Sequence, residues 1–196
     1  MHPKVQESKE AIRRQIRSWL KNSDPAQRAA NSARARLLFE KQTVWNKARA
    51  ILFYAPLPEE LDVWPLVTAA LAAGKTVALP RFDSGINQYT ACRVQNLAGD
   101  VVPGRFGIRE PGGRCVAIRL DLLDLVLVPG VAFDLRGRRL GRGKGYYDQL
   151  LSGVHGATCG VAFDEQVVAE VPVEPHDARV CCLLTPTRWI LLNGPG

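Results

Sequence analysis

The apolar positions of the chain fall into two periods, and the alternation between them predicts the architecture. Ile12, Ile16, Trp19 and Leu20 recur at helical spacing, which predicts an amphipathic helix over residues 5–21. Asp24-Pro25 restarts the chain, with Asp24 as N-cap and Pro25 at the first helical position. In that second helix Ala26, Ala29, Ala33 and Leu37 are expected to line one face, leaving Arg28, Arg34 and Arg36 largely to solvent. Ala50–Tyr54 reads as a strand stopped by Pro56 and Pro58. A helix is expected over about 62–73, opened by Asp62, tolerating Pro65 in its first turn and stopped by Gly74. Thr76–Leu79 reads as a buried strand ended by Pro80, and residues 88–94 and 116–119 as further strands around a turn-rich centre. Leu125-Val126-Leu127-Val128, between Asp124 and Pro129-Gly130, has the continuous apolar character of a strand buried on both faces. Strands at 157–162, 180–184 and 189–192 complete the series. Such β/α alternation predicts an α/β fold, a three-layer sandwich around a mostly parallel sheet with the N-terminal helices packed alongside.

Composition places the chain among ordinary globular proteins. The 196 residues suffice for one domain, and residues 1–196 are expected to form one, with 1–49 integral to it. No apolar stretch has transmembrane length and the N-terminus is polar, unlike a signal peptide. The five cysteines contain no C-x-x-C pair, which argues against a disulfide framework and a zinc site and for a reducing cytoplasm. The absence of a long exposed apolar stripe favours a monomer.

Charge is unevenly placed. Residues 1–49 carry twelve Lys/Arg against Glu7, Glu10, Asp24 and Glu40, so the whole excess behind the net +7 lies there. A solvated helical face, a nucleic-acid partner, and cations reaching back to a polyphosphate are three readings of this stretch. No recognised nucleic-acid-binding motif accompanies it.

The chemistry concentrates in residues 124–148. After the apolar strand come glycines at 137, 141, 143 and 145, cations at Arg136, Arg138, Arg139, Arg142 and Lys144, and then the helix start Tyr146-Tyr147-Asp148. Glycine lets backbone N–H groups approach an anion, and a helix N-terminus adds partial positive charge. Neither common nucleotide motif fits. Gly143-Lys144 is followed by Gly145 rather than a hydroxyl residue, and the last position of G-x-G-x-x-G falls on Tyr146 or Asp148. Arginine can clamp phosphate oxygens with its fork, lysine offers a point charge, and Asp148 is a hard oxygen donor suited to Mg²⁺. No nucleophilic triad can be assembled.

The run from Val128 to Asp134, followed by Leu140-Gly-Arg-Gly-Lys-Gly-Tyr-Tyr-Asp148, closely resembles the 5-formyltetrahydrofolate cyclo-ligase family. Weaker matches stand in the family's order: Lys9 with Ile12-Arg13, Glu60-Leu61-Asp62, Gly74-Lys75 with Leu79-Pro80-Arg81, Phe106 to Pro111, Gly160 to Gln166, and Val171 to Asp177. The resemblance implies a sheet architecture of the kind found in sugar-phosphate isomerases and CoA transferases. It implies MgATP-driven conversion of 5-formyltetrahydrofolate to 5,10-methenyltetrahydrofolate through a phosphorylated formyl oxygen, releasing ADP and phosphate. Small-molecule partners are implied, with neither nucleic acid nor membrane.

By the same resemblance, Lys9 and Arg13 would reach the ATP phosphates from one helical face. Arg139, Leu140, Gly141, Arg142, Gly143, Lys144, Gly145, Tyr146 and Tyr147 would enclose the triphosphate. Arg142 and Lys144 would stabilise charge, and the two tyrosines would border the formyl group, one of them with packing towards Leu150 or Leu151 as an alternative. Glu60 and Phe106 would meet the folate, against a loop acid and a core aromatic respectively, and substrate contacts would extend over Arg142–Tyr146. Asp148 and Asp177 would bind Mg²⁺. His176 reads as a turn residue or an orienter. Val63 and Cys181 depart from the family pattern, and glycine also occurs in relatives at the place of Lys144. A relative that binds folate or thiamine without turnover is the main alternative, and a nucleic-acid-binding protein the lesser one.

Overall fold

In the computed structural model, residues 3–104, 107–174 and 177–192 are described, with side chains from residue 5 onward. Two long helices lead, α1 (Pro3–Asn22) and α2 (Pro25–Phe39), followed by the short α3 (Thr43–Lys47). Asp24 caps α2 as its sequence predicts: its carboxylate accepts from the N–H groups of Ala26 and Gln27. The strands β1 (Ala50–Leu52), β2 (Thr76–Asp83), β3 (Gln88–Val94), β6 (Leu125–Pro129), β9 (Ala157–Val161), β10 (Cys182–Leu184) and β11 (Trp189–Leu191) form one sheet. Its order is β11-β10-β9-β6-β1-β2-β3. The five central strands are parallel, and β3 and β11 close the two edges antiparallel. Two ribbons lie outside it: β4 (Val101–Pro103) with β5 (Arg109–Pro111), and β7 (Ala132–Phe133) with β8 (Arg139–Leu140). The helices α4 (Trp64–Ala72), α5 (Leu97–Asp100) and α6 (Tyr146–Leu151) complete the fold.

Side-chain alternation splits the strands between two cores. Ile51, Val77, Leu79, Leu125, Leu127 and Cys159 join Ile16, Leu20, Phe39, Leu66 and Val67 from the helices on one face. Leu52, Ala78, Val126 and Val128 join Leu123, Leu150 and Leu151 on the other. This is the expected three-layer arrangement, with β6 wholly buried except at its terminal proline.

Four expectations need correction. In α2 it is Ser32, Ala35 and Phe39 that face inward, while Ala26, Ala29 and Ala33 are exposed and Leu37 is half exposed. Phe39 decides the rotation: a buried phenyl ring gains far more than alanine methyls, and it packs on Trp45 and Trp189 at centroid distances of 5.5 and 5.7 Å. Arg28, expected in solvent, donates to the carbonyls of Leu20 and Ser23. Second, β2 runs through Pro80 to Asp83. The proline has no N–H for the β1 side, where parallel pairing ends at Leu52–Ala78, but antiparallel pairing with β3 continues to Asp83–Gln88. Third, residues 116–119 contribute only an isolated bridge from Ala117 to Cys92. Fourth, helix α4 begins at Trp64, two residues later than expected, with Asp62 accepting from the Trp64 N–H at 2.9 Å. Gly74 stops it in the left-handed region, φ 71°.

Candidate functional site

The chain runs from β1 to β2 in one direction, whereas β6 lies on the other flank of β1. Ligands of open α/β sheets bind beyond the carboxyl ends of strands at such a reversal. A cavity of about 670 Å³ opens there, walled by Tyr54 and Ala55 beyond β1, Pro80 in β2, and Pro129-Gly130 at the end of β6. The remaining wall comes from α1, the glycine loop, α6 and the segment around Glu174 and Asp177.

Two cations of α1 are turned into this wall. Lys9 and Arg13 are only 6% and 5% exposed, although both stand on a helix rich in solvent-facing charge. Being one turn apart they share a face. Lys9 Nζ lies 2.6 Å from Asp177 Oδ2 and 3.6 Å from Glu174 Oε2. Arg13 Nε donates to the Gly141 carbonyl at 3.0 Å, and its Nη1 pairs with Glu10. Helix α1 is thereby fastened to both sides of the cavity.

The loop cations divide. Arg139 on β8 is 5% exposed and binds Asp148 Oδ1 at 2.7 Å, with its guanidinium 5.7 Å from the Tyr147 ring centroid. Arg142 Nη2 reaches Glu60 Oε1 at 2.9 Å and Glu59 Oε1 at 3.2 Å. Burial works against the Arg142 charge, but Glu60 and Glu59 outweigh it and raise its pKa. Lys144 lines the cavity and is exposed. Arg136 and Arg138 turn away instead, towards Glu170 at 3.9 and 2.7 Å. The β7–β8 hairpin carries them outward, so three of the five loop cations serve the cavity. The expected helix-terminus contribution is also small, because α6 has only six residues and no side-chain cap. Gly143 and Gly145 adopt φ 102° and 70°, as a loop of backbone donors held by glycine requires.

Aromatic side chains form the opposite wall. Tyr146 stacks edge-on to Phe82 and Tyr89 at 5.3 and 5.4 Å, and Tyr89 approaches Tyr147 at 6.2 Å. Tyr147 also packs against both cores. Burial, then the charge of Glu60, pushes the Tyr147 and Tyr54 phenols well above their usual range. Both are therefore neutral walls and hydrogen-bond donors rather than bases; Tyr54 donates to the Leu61 carbonyl at 2.7 Å.

Apart from Arg136 and Arg138, every candidate from Lys9 to Asp177 that lies among the described residues borders this cavity. Phe106 and His176 lie outside the described residues. Tyr89, Ile108 and Glu174 border it too; Ile108 and Glu174 stand within family-like segments but were given no role, and Tyr89 was not singled out. Tyr89 sits in β3 and carries no local signal of its own, whereas Glu174 is legible as part of the segment matched from Val171 to Asp177.

For a magnesium ion the donor chemistry is suitable but incomplete. Asp148 accepts from Ala178 N at 3.3 Å, next in sequence to Asp177, so the two carboxylates share one wall. Both already engage cations, and among the described residues no group of three or more His, Cys, Asp or Glu side chains could hold a metal. That fits an ion held by one or two carboxylates together with phosphate oxygens, not one caged by protein alone.

Sheet topology and site together define an α/β protein with a cation-lined, aromatic-walled cavity at the carboxyl ends of its central strands. Comparison with known proteins makes the assignment specific. The model of the 5-formyltetrahydrofolate cyclo-ligase family matches residues 5–186, and the chain belongs to that family. A 5-formyltetrahydrofolate cyclo-ligase of Mycolicibacterium smegmatis is 33% identical over 148 residues, 73% of this chain and 76% of that one. The mouse enzyme of the same name is 28% identical over 185 residues, 87% and 91% of the two chains. The solved structure of Aquifex aeolicus 5,10-methenyltetrahydrofolate synthetase superposes with a TM-score of 0.85 at 32% identity, covering 96% of this chain and 95% of that one.

Proposed function

We propose that this protein uses MgATP to close 5-formyltetrahydrofolate into 5,10-methenyltetrahydrofolate, releasing ADP and phosphate. The observation that carries the reading is the convergence of two buried α1 cations, Lys9 and Arg13, with the glycine loop on one aromatic-walled cavity.

The formyl oxygen attacks the γ-phosphorus and ADP leaves. The amide oxygen, a poor leaving group, becomes a phosphate ester, a good one. N10 then attacks the formyl carbon, the N10 proton is lost, and phosphate departs with the original formyl oxygen. Such chemistry asks the protein for positioning and charge stabilisation rather than a nucleophile. Lys9, Arg13, Arg142 and Lys144 would bind phosphate oxygens, and Gly141, Gly143 and Gly145 would leave backbone room for them. Arg139 orients Asp148 and Tyr147. Tyr146 and Tyr147 would flank the formyl group in a dry environment, and Glu60 would accept from the amino-pyrimidine edge of the folate. Asp148 and Asp177 would hold Mg²⁺, which would supply positive charge against the negative charge of the phosphates.

The test is direct. Methenyltetrahydrofolate has its own ultraviolet absorbance, and its appearance on mixing protein, 5-formyltetrahydrofolate and MgATP is the expected result. Folded protein that binds folate yet gives no product would overturn the reading in favour of a binding protein.

A further inference from the structure

Arg142 and Glu60 meet in the free protein, although they would serve different substrates. Nη2 of Arg142 donates to Glu60 Oε1 at 2.9 Å and to Glu59 Oε1 at 3.2 Å, bridging from the glycine loop to the segment after β1. Glu60 is pinned. Its Oε2 accepts from the Leu57 N–H at 3.0 Å, its own N–H donates to the Leu57 carbonyl at 2.9 Å, and its side chain is only 13% exposed. Glu59 is different: it is 38% exposed, does not border the cavity, and has Arg142 as its contact. Both N–H donors of Nη2 are committed to the two carboxylates, so a fork that grips phosphate through both terminal nitrogens has to give up Glu59 and Glu60. Glu60 Oε2 is taken by the Leu57 N–H, so a ring donor has to compete with Arg142 for Oε1.

We propose that the contact of Arg142 with Glu60 and Glu59 is a latch coupling the nucleotide and folate subsites, with Glu59 acting as an internal competitor of phosphate for Arg142. The proposal rests on the function assigned above. Phosphate that draws Arg142 away frees Glu60 for the folate ring. Folate that engages Glu60 removes the better of the two partners of Arg142. Each substrate therefore tightens the other, and linkage requires the two factors to be equal. Glu59 touches neither substrate and sets only how firmly Arg142 is held back. It is a positioning residue.

The test is calorimetric titration of the whole protein with a non-hydrolysable ATP analogue, with and without 5-formyltetrahydrofolate, for the wild type and Glu59→Gln. In the wild type, each ligand should tighten the other by about five-fold or more, the lower end of a typical coupling. In Glu59→Gln, nucleotide affinity without folate should rise about two- to five-fold, the worth of a half-exposed ion pair. The coupling factor should persist or grow, because Glu60 is then the one restraint on Arg142 that folate removes, and kcat should stay within about two-fold. A scaffolding role for Glu59 gives the opposite sign, with weaker nucleotide binding and a lower kcat. That result, or unchanged affinity, overturns the latch. Failure of the functional reading looks different: neither ligand binds even the wild type.

Discussion

Asp134 offers the sharpest test of how the site is held in place. It is 0% exposed, and its carboxylate is filled entirely by backbone. Oδ1 accepts from the N–H groups of Arg136 and Arg138 at 2.9 and 3.1 Å, and Oδ2 from the Val171 N–H at 2.9 Å. The Arg138 guanidinium stands 3.9 Å away. Two of these bonds shape the turn of the β7–β8 hairpin, which presents Arg139 to Asp148, and the third ties it to the segment leading to Glu174 and Asp177. Each charge-assisted bond is worth about 1.5–3 kcal/mol, and such losses are not additive. Asp134→Ala strands three donors, two of them beside a cation, and is expected to cost about 4 kcal/mol. Asp134→Asn keeps an acceptor for one pair but turns an amide N–H₂ towards another donor, costing about 2–3 kcal/mol. Urea unfolding gives both values, and the alanine variant should melt roughly 8–15 °C lower, at about 2–4 °C per kcal/mol for a chain of this size. Below its melting range the folded alanine variant should still lose catalytic efficiency, because Arg139 is no longer fixed. An alanine variant within about 1 kcal/mol of wild type would refute this reasoning.

Lys9→Met removes the cation shared by Asp177 and Glu174; the KM for ATP should rise at least about ten-fold, while Lys9→Arg retains most of the affinity. An unchanged KM in steady-state assays would return Lys9 to a purely structural role. Asp148→Asn should raise the magnesium concentration needed for half-maximal rate, and an unaltered magnesium titration would remove Asp148 from the ligand set. Asp100 is held below the usual carboxylate range by the N–H groups of Gln95 and Asn96, with Arg114 adding to the effect. A depressed carboxyl stabilises the fold above its unfolded value of about 3.9 and loses that contribution as pH falls through the folded value. Between pH 5 and 2 the wild type should therefore lose more unfolding free energy than Asp100→Asn; parallel losses would contradict the linkage.

Much of this was legible in the sequence, and the failures share a cause. Leu125–Val128 could be read as a doubly buried strand because four apolar residues in a row leave no solvent face, and β6 is that strand. The helix α1 was legible by period, and its Lys9–Arg13 pair by the family motif. The face of α2 was not, because alanines satisfy a periodic pattern while burying little, and Phe39 settles the rotation only through Trp45 and Trp189. Arg136 and Arg138 read as part of a phosphate cradle, since sequence does not disclose that Asp134 turns the hairpin and carries them to Glu170. Partners such as Arg142 with Glu59, 83 positions apart, follow from tertiary packing alone.

The measurement that bears most directly on the central claim follows the formyl oxygen. With 5-formyltetrahydrofolate carrying ¹⁸O in the formyl group, one turnover with MgATP should place the label in the released inorganic phosphate, one labelled oxygen per methenyltetrahydrofolate formed. Product formed with unlabelled phosphate, or ATP cleaved without product, would contradict phosphorylation of the formyl oxygen in this cavity.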